Sequence, residues 1–283
     1  MELPFSRVAV LGTGLVGGSF ALALKRAFPQ ARVIGCDRPK VLERARERGA
    51  FDEPVPDAAA ACRGADLVYL ALPVLEIVRA LPTVAAVVSP TALVTDAGST
   101  KTLICQEAER VFPSPRRFVG GHPLAGRESG GIESAAADLF AGAPYFLIGA
   151  PEPLDDRLRR LLAVIEAIGA RPVWLAAGEH DRLAAFLSHL PQMVAVALAE
   201  TVLEGAGESA GALAGPGLRD TLRLAGSPYA IWADVARTNP HLPQALDRLG
   251  RWLERIRSRL ESGDLREDFE RSNRLYKILR RLE

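Results

Sequence analysis

A single turn near the start of the chain narrows the possible folds more than any other feature. Gly12-Thr13-Gly14-Leu15-Val16-Gly17 matches G-x-G-x-x-G and sits directly between the apolar run Val8-Ala9-Val10-Leu11 and a helical stretch over 19–28. Gly12 permits the tight turn, Gly14 lets backbone approach a pyrophosphate, and Gly17 lets the helix pack close to the strand. The helix N-terminus, at Leu15 and Val16, offers unpaired N–H groups and a positive dipole end to phosphates. Asp37 ends the second expected strand, twenty residues after Gly17. An acid there receives the ribose hydroxyls of NAD and repels the extra phosphate of NADP. Arg38 beside it leaves room for dual use, because an arginine can turn toward that phosphate. Asp37 could instead cap the next helix. With strand, glycines, helix and acid in register, a dinucleotide site that favours NAD is expected.

Up to about residue 176 short β-rich runs alternate with helical stretches, which predicts an α/β fold with a Rossmann-type, doubly wound, mostly parallel sheet. The runs cover 8–11, 33–37, 67–71, 93–96, 118–121, 145–148 and 172–175. They are short and nearly all apolar, as expected when both sheet faces are covered. Beyond residue 175 the strand signal stops and apolar residues recur at helical spacing. Pro191 interrupts the first of these helices and predicts a kink, because proline lacks a donor and clashes with the carbonyl four residues back. A Gly/Ala-rich loop is expected over 205–217, followed by two amphipathic segments. The division is therefore a dinucleotide-binding domain over 1–176 and an all-helical substrate and dimerisation domain over 177–283. The charged last segment, from Arg271 on, reads either as a solvated helix with one docked face or as a dimer contact.

With 35 basic and 34 acidic residues, the chain lacks the basic footprint of a nucleic-acid binder. Its three cysteines fit neither a zinc spacing nor a disulfide framework and read as buried reduced thiols. The N-terminus shows no basic leader or cleavage site, and no uninterrupted apolar stretch long enough to span a bilayer is evident. A soluble cytoplasmic protein without membrane or nucleic-acid partners is the expectation.

Chemistry enters at the other strand ends, since ligands in open α/β sheets collect beyond the carboxyl ends of the strands. Two such ends are polar: Asp96-Ala97-Gly98-Ser99-Thr100-Lys101 and Gly120-Gly121-His122-Pro123-Leu124-Ala125-Gly126-Arg127-Glu128. Ser99 and His122 would face the nucleotide crevice, although Ser99 also reads as a helix N-cap. His122 precedes proline and so stays extended. In a Gly-flanked loop it should be more exposed than a core histidine. In the helical half, Ser188-His189-Leu190-Pro191 lies at the expected kink. Arg219 and Arg223 lie one helical turn apart, so both could face one pocket; either could equally be a surface arginine.

These segments together resemble the prephenate and arogenate dehydrogenases of tyrosine biosynthesis. The resembling pieces are GTGLVGGS, DLVYLALP, TDAGSTK, GGHPLAGRESGG, HDRLAAFLSHLP, GLRDTLRLA and PYAIWADVARTNP, which span nearly the whole chain. The resemblance implies oxidative decarboxylation of prephenate to 4-hydroxyphenylpyruvate with NAD, or the same reaction on arogenate or on both. His122 would be the catalytic histidine on the ring hydroxyl, and Ser99 would position that hydroxyl and the nicotinamide. Arg223 would pair with a substrate carboxylate, and His189 would be a second active-site histidine. Glu128 would stand near the pocket entrance, and Trp232 would pack at the substrate site. The family's dimerisation through helical domains implies a homodimer. One departure stands out: many members read SHLPH, whereas this chain has Gln192 at the last position. No added regulatory domain and no fused chorismate mutase is expected.

Two rivals share the architecture. Another hydroxyacid dehydrogenase would place a lysine in the helical half as its acid or base, where this chain has only Lys277, on the charged terminal segment. A non-enzymatic nucleotide sensor would not need His122, Ser99 and Arg223 together.

Overall fold

The computed structural model describes residues 3–112, 117–127, 129–150, 152, 154–260 and 262–280. They form two compact units, 1–240 and 241–283. The first opens with β1 (Arg7–Leu11), α1 (Leu15–Ala27), β2 (Arg32–Cys36), α2 (Pro39–Glu47), β3 (Glu53–Pro54), α3 (Ala58–Cys62), β4 (Leu67–Leu70), α4 (Val74–Val87), β5 (Leu93–Asp96), α5 (Thr102–Val111) and β6 (Phe118–Val119). The six strands form one parallel sheet in the order β3-β2-β1-β4-β5-β6. β3 escapes a sequence reading because its two residues carry no periodicity.

Strand alternation explains the two-sided core. Val8, Val10, Leu67 and Tyr69 point to one face, with Phe20 and Leu24 of α1. Ala9, Leu11, Val68 and Leu70 point to the other, with Ile77, Leu81 and Val84 of α4 and Ile104 of α5. On the first face the rings of Phe20 and Tyr69 stack with centroids 3.8 Å apart.

The run expected as one strand over 118–121 divides. β6 ends at Val119, and β7 (Gly121–Pro123) pairs antiparallel with β8 (Pro144–Ile148), which pairs in parallel with β9 (Arg171–Leu175). This second, three-stranded sheet is connected through α6 (Asp156–Ala167), whose first turn Asp155 caps by accepting from Leu158 N at 2.9 Å. Gly121 makes the changeover possible: a Cβ there would crowd the Asp96 carbonyl oxygen.

The helical part starts with α7 (Ala177–Ala184), a π turn (Ala185–His189) and α8 (Leu190–Ala206). Pro191 lies in the first turn of α8, and the π turn immediately before it is the form that the expected disturbance takes; π turns of this kind concentrate at functional sites. The expected loop over 205–217 is partly helical: α8 continues to Ala206, α9 occupies Ser209–Leu213 and α10 begins at Pro216 (Pro216–Leu222). α11 (Tyr229–Thr238) completes the unit. By length and composition, the run Ala177–Ala206 is long and apolar enough to cross a membrane, contrary to the sequence expectation. Its buried side nevertheless carries His180, Asp181 and His189, each hydrogen-bonded inside the unit.

The second unit pairs α12 (Leu242–Leu260) with α13 (Arg266–Arg280). Asp268 joins them, accepting from Arg255 at 3.1 Å and Arg259 at 2.9 Å. Among its described residues α13 has none that is buried.

Gly12 is one of the tightest points of the first unit. It has φ +89°, and a Cβ would overlap the Ala71 carbonyl oxygen. Left-handed backbone alone costs a non-glycine residue about 1–3 kcal/mol, so Gly12→Ala should lower the urea unfolding midpoint by at least the equivalent of that. An unchanged midpoint would show that the turn relaxes freely.

Candidate active site

The nucleotide turn has the features a pyrophosphate needs. Gly14 is the N-cap of α1 with no side-chain cap, and a Cβ built on it meets nothing within 4 Å. Leu15 and Val16 open the helix, and Val16 packs partly on the core. Gly17 presses on the Gly12 carbonyl so closely that a Cβ could not be added. Asp37 does not cap α2, whose N-cap is Arg38 with no side-chain bond. Its carboxylate instead accepts from Thr13 N at 2.8 Å and from Arg38 N at 2.7 Å. The acid thus ties the end of β2 to the glycine turn, and its oxygens retain lone pairs for further donors. The Arg38 side chain is exposed, 3.9 Å from Asp37. These residues fit a dinucleotide: an open glycine cradle, an uncapped helix N-terminus and a carboxylate at the second strand end.

Where β5 meets β7, a buried ion pair organises the backbone. Lys101 Nζ bonds Asp96 Oδ2, and both side chains are fully buried. Lys101 also donates to Gly121 O at 2.7 Å, while Asp96 accepts from Gly121 N at 3.0 Å and Gly98 N at 2.8 Å. Opposite charges therefore hold both backbone polar groups of the residue before His122. Ser99 lies half-buried within this turn. It does not cap α5; Asp181 of α7 does, accepting from Lys101 N at 2.7 Å and Thr102 N at 2.9 Å.

His122 differs from its expected setting. It lies on strand β7 opposite Phe146, not in a loop, and is only 7 % exposed. The sheet changeover buries it. Its Nδ1 lies 2.8 Å from Nε2 of His180, and His180 Nδ1 lies 2.8 Å from Asp181 Oδ1. Nε2 of His122 meets no hydrogen-bond partner among the described residues. Burial, and then the neighbouring His180, Lys101 and His189, push the His122 pKa well below its usual 6.5. Burial likewise lowers His180, against the opposing pull of Asp181.

His189, last residue of the π turn, is also buried. Asn239 Nδ2 reaches its Nδ1 at 2.9 Å and donates to the Asp181 carbonyl at 2.8 Å. His189 Nε2 is buried without a partner among the described residues, as is Oε1 of Gln192 one turn later; the Gln192 amide nitrogen donates to Leu224 O at 2.9 Å. The Trp232 ring stands edge-on to His189 with centroids 5.9 Å apart. α11, which carries Trp232 and is followed by Asn239, is fastened over the strand ends: Asp234 accepts from Leu75 N at 3.0 Å, and Thr238 bonds Thr100 at 2.7 Å.

The structure thus brings His122, His189 and Trp232 into one connected group and keeps Gly12, Gly14, Gly17 and Asp37 as another. Arg219 lies in α10 and Arg223 opens the 3-10 turn Arg223–Gly226; both are exposed. Glu128 lies outside the described residues. Sequence reasoning missed His180, Asp181, Asn239, Asp96 and Lys101 as site-forming residues. A signal existed for the first pair, since the chain has four histidines and one of them stands beside an aspartate at the start of an apolar helix.

Comparison with known proteins identifies the family and fold. Residues 20–174 match the family described as prephenate dehydrogenase, nucleotide-binding domain, and residues 176–280 match prephenate dehydrogenase, dimerization domain. The prephenate dehydrogenase of Lactococcus lactis subsp. cremoris is 32% identical over 242 residues, 83% of this chain and 66% of that protein. This chain therefore spans just under two thirds of that relative. Among solved structures, the prephenate dehydrogenase of A. aeolicus in complex with hydroxyphenyl propionate and NAD+ superposes with a TM-score of 0.86 at 26% identity, covering 96% of this chain and 97% of the other. Synechocystis arogenate dehydrogenase superposes at 0.78 with 30% identity, covering 96% and 99%.

The buried histidines make stability depend on pH. His189 is pushed down to about 4 by burial, and His122 and His180 are lowered too. Below the ordinary 6.5, the unfolded chain binds protons that these folded histidines refuse, so stability present above that pH is lost as pH falls. Each such group contributes about 1.4 kcal/mol per pH unit. Asp181, lowered by its His180 and Thr102 bonds despite burial, adds the same sign below the carboxylate range. Urea midpoints should be nearly level down to about pH 7 and then fall progressively from about pH 6.5 to pH 5; a flat profile would mean that the histidines titrate normally.

Proposed function

The chain belongs to the prephenate dehydrogenase family, and on that premise we propose that it carries out NAD-dependent oxidative decarboxylation of prephenate to 4-hydroxyphenylpyruvate in tyrosine biosynthesis. One observation carries the reading: a buried histidine, its pKa pushed down by burial, stands on β7 beside the nucleotide-binding sheet, and one of its ring nitrogens meets no partner among the described residues.

Bound NAD supplies the acceptor for the hydride on ring carbon C4. His122 takes the proton of the C4 hydroxyl at Nε2, as a neutral imidazole can near pH 7. The C1 carboxylate leaves as carbon dioxide, and its bonding electrons make the ring aromatic. The proton on His122 then returns to the phenolate oxygen. Ser99, in the turn held by Asp96 and Lys101, orients the hydroxyl. His189 offers its buried, unpartnered Nε2 to the substrate against the Trp232 ring. Arg223 holds a substrate carboxylate through its planar fork, which a lysine could not reproduce; Arg219, one turn earlier, is the alternative holder. Glu128 is assigned to the pocket entrance by resemblance alone. Leu15, Val16 and the three glycines would hold the pyrophosphate, and Asp37 with Arg38 the ribose.

A second reading keeps the chemistry and changes the side chain: arogenate, with an amino group in place of the keto group. The likeness to the Synechocystis arogenate dehydrogenase supports it. A homodimer is part of the proposal, supported by the dimerization-domain match and by apolar residues such as Leu253, Phe269 and Leu275 that are more than half exposed in the single chain. So is a cytoplasmic setting, since Cys36, Cys62 and Cys105 are free thiols of the kind a reducing compartment maintains.

Steady-state assays with both substrates and both cofactors test the reading. His122→Asn should lower kcat by about 10²–10⁴-fold with little change in NAD affinity, and a variant keeping most of its turnover would remove His122 from the chemistry. Asp37→Ser should weaken NAD about ten-fold, or roughly 1.4 kcal/mol, and improve NADP. Wild-type preference for NADP would overturn the role given to Asp37.

A further inference from the structure

We infer that His180 and Asp181 form a positioning relay that fixes which ring nitrogen of His122 carries the proton. The inference rests on the reading of His122 as the base and adds what makes it one.

The bonds admit a single assignment. The Asp181 carboxylate receives three donors: Lys101 N at 2.7 Å, Thr102 N at 2.9 Å and the His180 ring. An ionised carboxylate can only accept, so His180 Nδ1 carries the hydrogen. In neutral His180 the other nitrogen, Nε2, then has only a lone pair. His122 Nδ1, 2.8 Å away, must therefore donate. That leaves Nε2 of His122 with its lone pair free, which is the form a base needs. A free neutral imidazole prefers the opposite tautomer, with the hydrogen on Nε2, and in that form the nitrogen could take no proton. Burial and the nearby Lys101 keep His180 neutral against the pull of Asp181 and Asp96, so the alternative, an imidazolium donating to His122, is disfavoured.

The relay is anchored where it cannot drift. Asp181 is fully buried and caps α5, the helix that starts just beyond Ser99, so one carboxylate aligns both the serine turn and the histidine pair. The same dipeptide acts on His189 with the opposite sense. Asn239 Nδ2 gives one hydrogen to the Asp181 carbonyl and one to His189 Nδ1. His189 must then keep its hydrogen on Nε2. One histidine is set as an acceptor and the other as a donor, and in each case the nitrogen facing away from the relay is the useful one.

Nitrogen-15 spectra of the imidazole rings test this without any variant. In the folded protein at pH 7.5, His122 should show a protonated Nδ1 and an unprotonated Nε2. His180→Leu should release the ring toward the Nε2–H form and lower kcat about 10–100-fold, with NAD affinity unchanged. His180→Gln offers a carbonyl oxygen at the same reach. It should restore the Nδ1–H form and most of kcat, an outcome a purely structural role would not give. An Nε2–H tautomer in the wild type would overturn the relay. So would a His180→Leu enzyme with wild-type kcat. If His180→Leu does not fold, the wild-type spectrum and the glutamine variant decide alone. His122→Asn run in parallel separates the two failures: a turning-over asparagine variant sinks the base itself, while an inactive one leaves only the relay at stake.

Discussion

Everything around the site depends on two charges that have no water to turn to. Asp96 and Lys101 are fully buried, and each satisfies the other. Ions in such a place persist only with excellent geometry and further hydrogen bonds, and removing one partner typically costs about 3–5 kcal/mol. Here the further bonds go to Gly98 and to both polar groups of Gly121. The pair therefore clamps the end of one sheet to the first strand of the next. Together with the β7–β8 ladder, that clamp fixes the backbone on which His122 sits.

A rigid side and an open side result. On the rigid side, Asp96, Lys101, Asp181, His180 and Asn239 spend nearly all their hydrogen-bonding capacity on one another and on backbone, as buried polar groups must. On the other side are groups that meet no partner among the described residues: the uncapped start of α1, Nε2 of His122, Nε2 of His189 and Oε1 of Gln192. Such preorganisation spends its energy during folding, so that no dipole has to turn when charge moves on a substrate.

The nucleotide half was legible because its signals are local. A glycine turn, an acid twenty residues on and short apolar strands each act within a few residues, and the parallel sheet followed from them. The setting of His122 was not legible, because its burial is decided by Phe146 across the strand and His180 beyond it. Asp181 bonds to residues about eighty positions away, a distance at which one sequence shows no pattern. Pro191 signalled a disturbed helix but not its form. The Gly/Ala composition of 205–217 hid the short helix Ser209–Leu213, which buries none of its residues and so leaves no apolar periodicity to read. Arg223 was singled out, but its exposure in the single chain depends on packing that no helical spacing reveals.

The π turn has a geometric consequence. In a regular α-helix successive residues advance about 100°, so positions nine apart, such as His180 and His189, would point in roughly opposite directions. The wider turn over Ala185–His189 winds fewer degrees per residue. That slower winding swings His189 round toward the side already occupied by His180, where Asn239 can bridge it to Asp181. The helix thus works as a phase shifter. Restoring ordinary winding at unchanged length would put the two histidines about 180° apart again and rotate the second out of the group, whereas deleting one residue with the turn would leave them only about 80° apart.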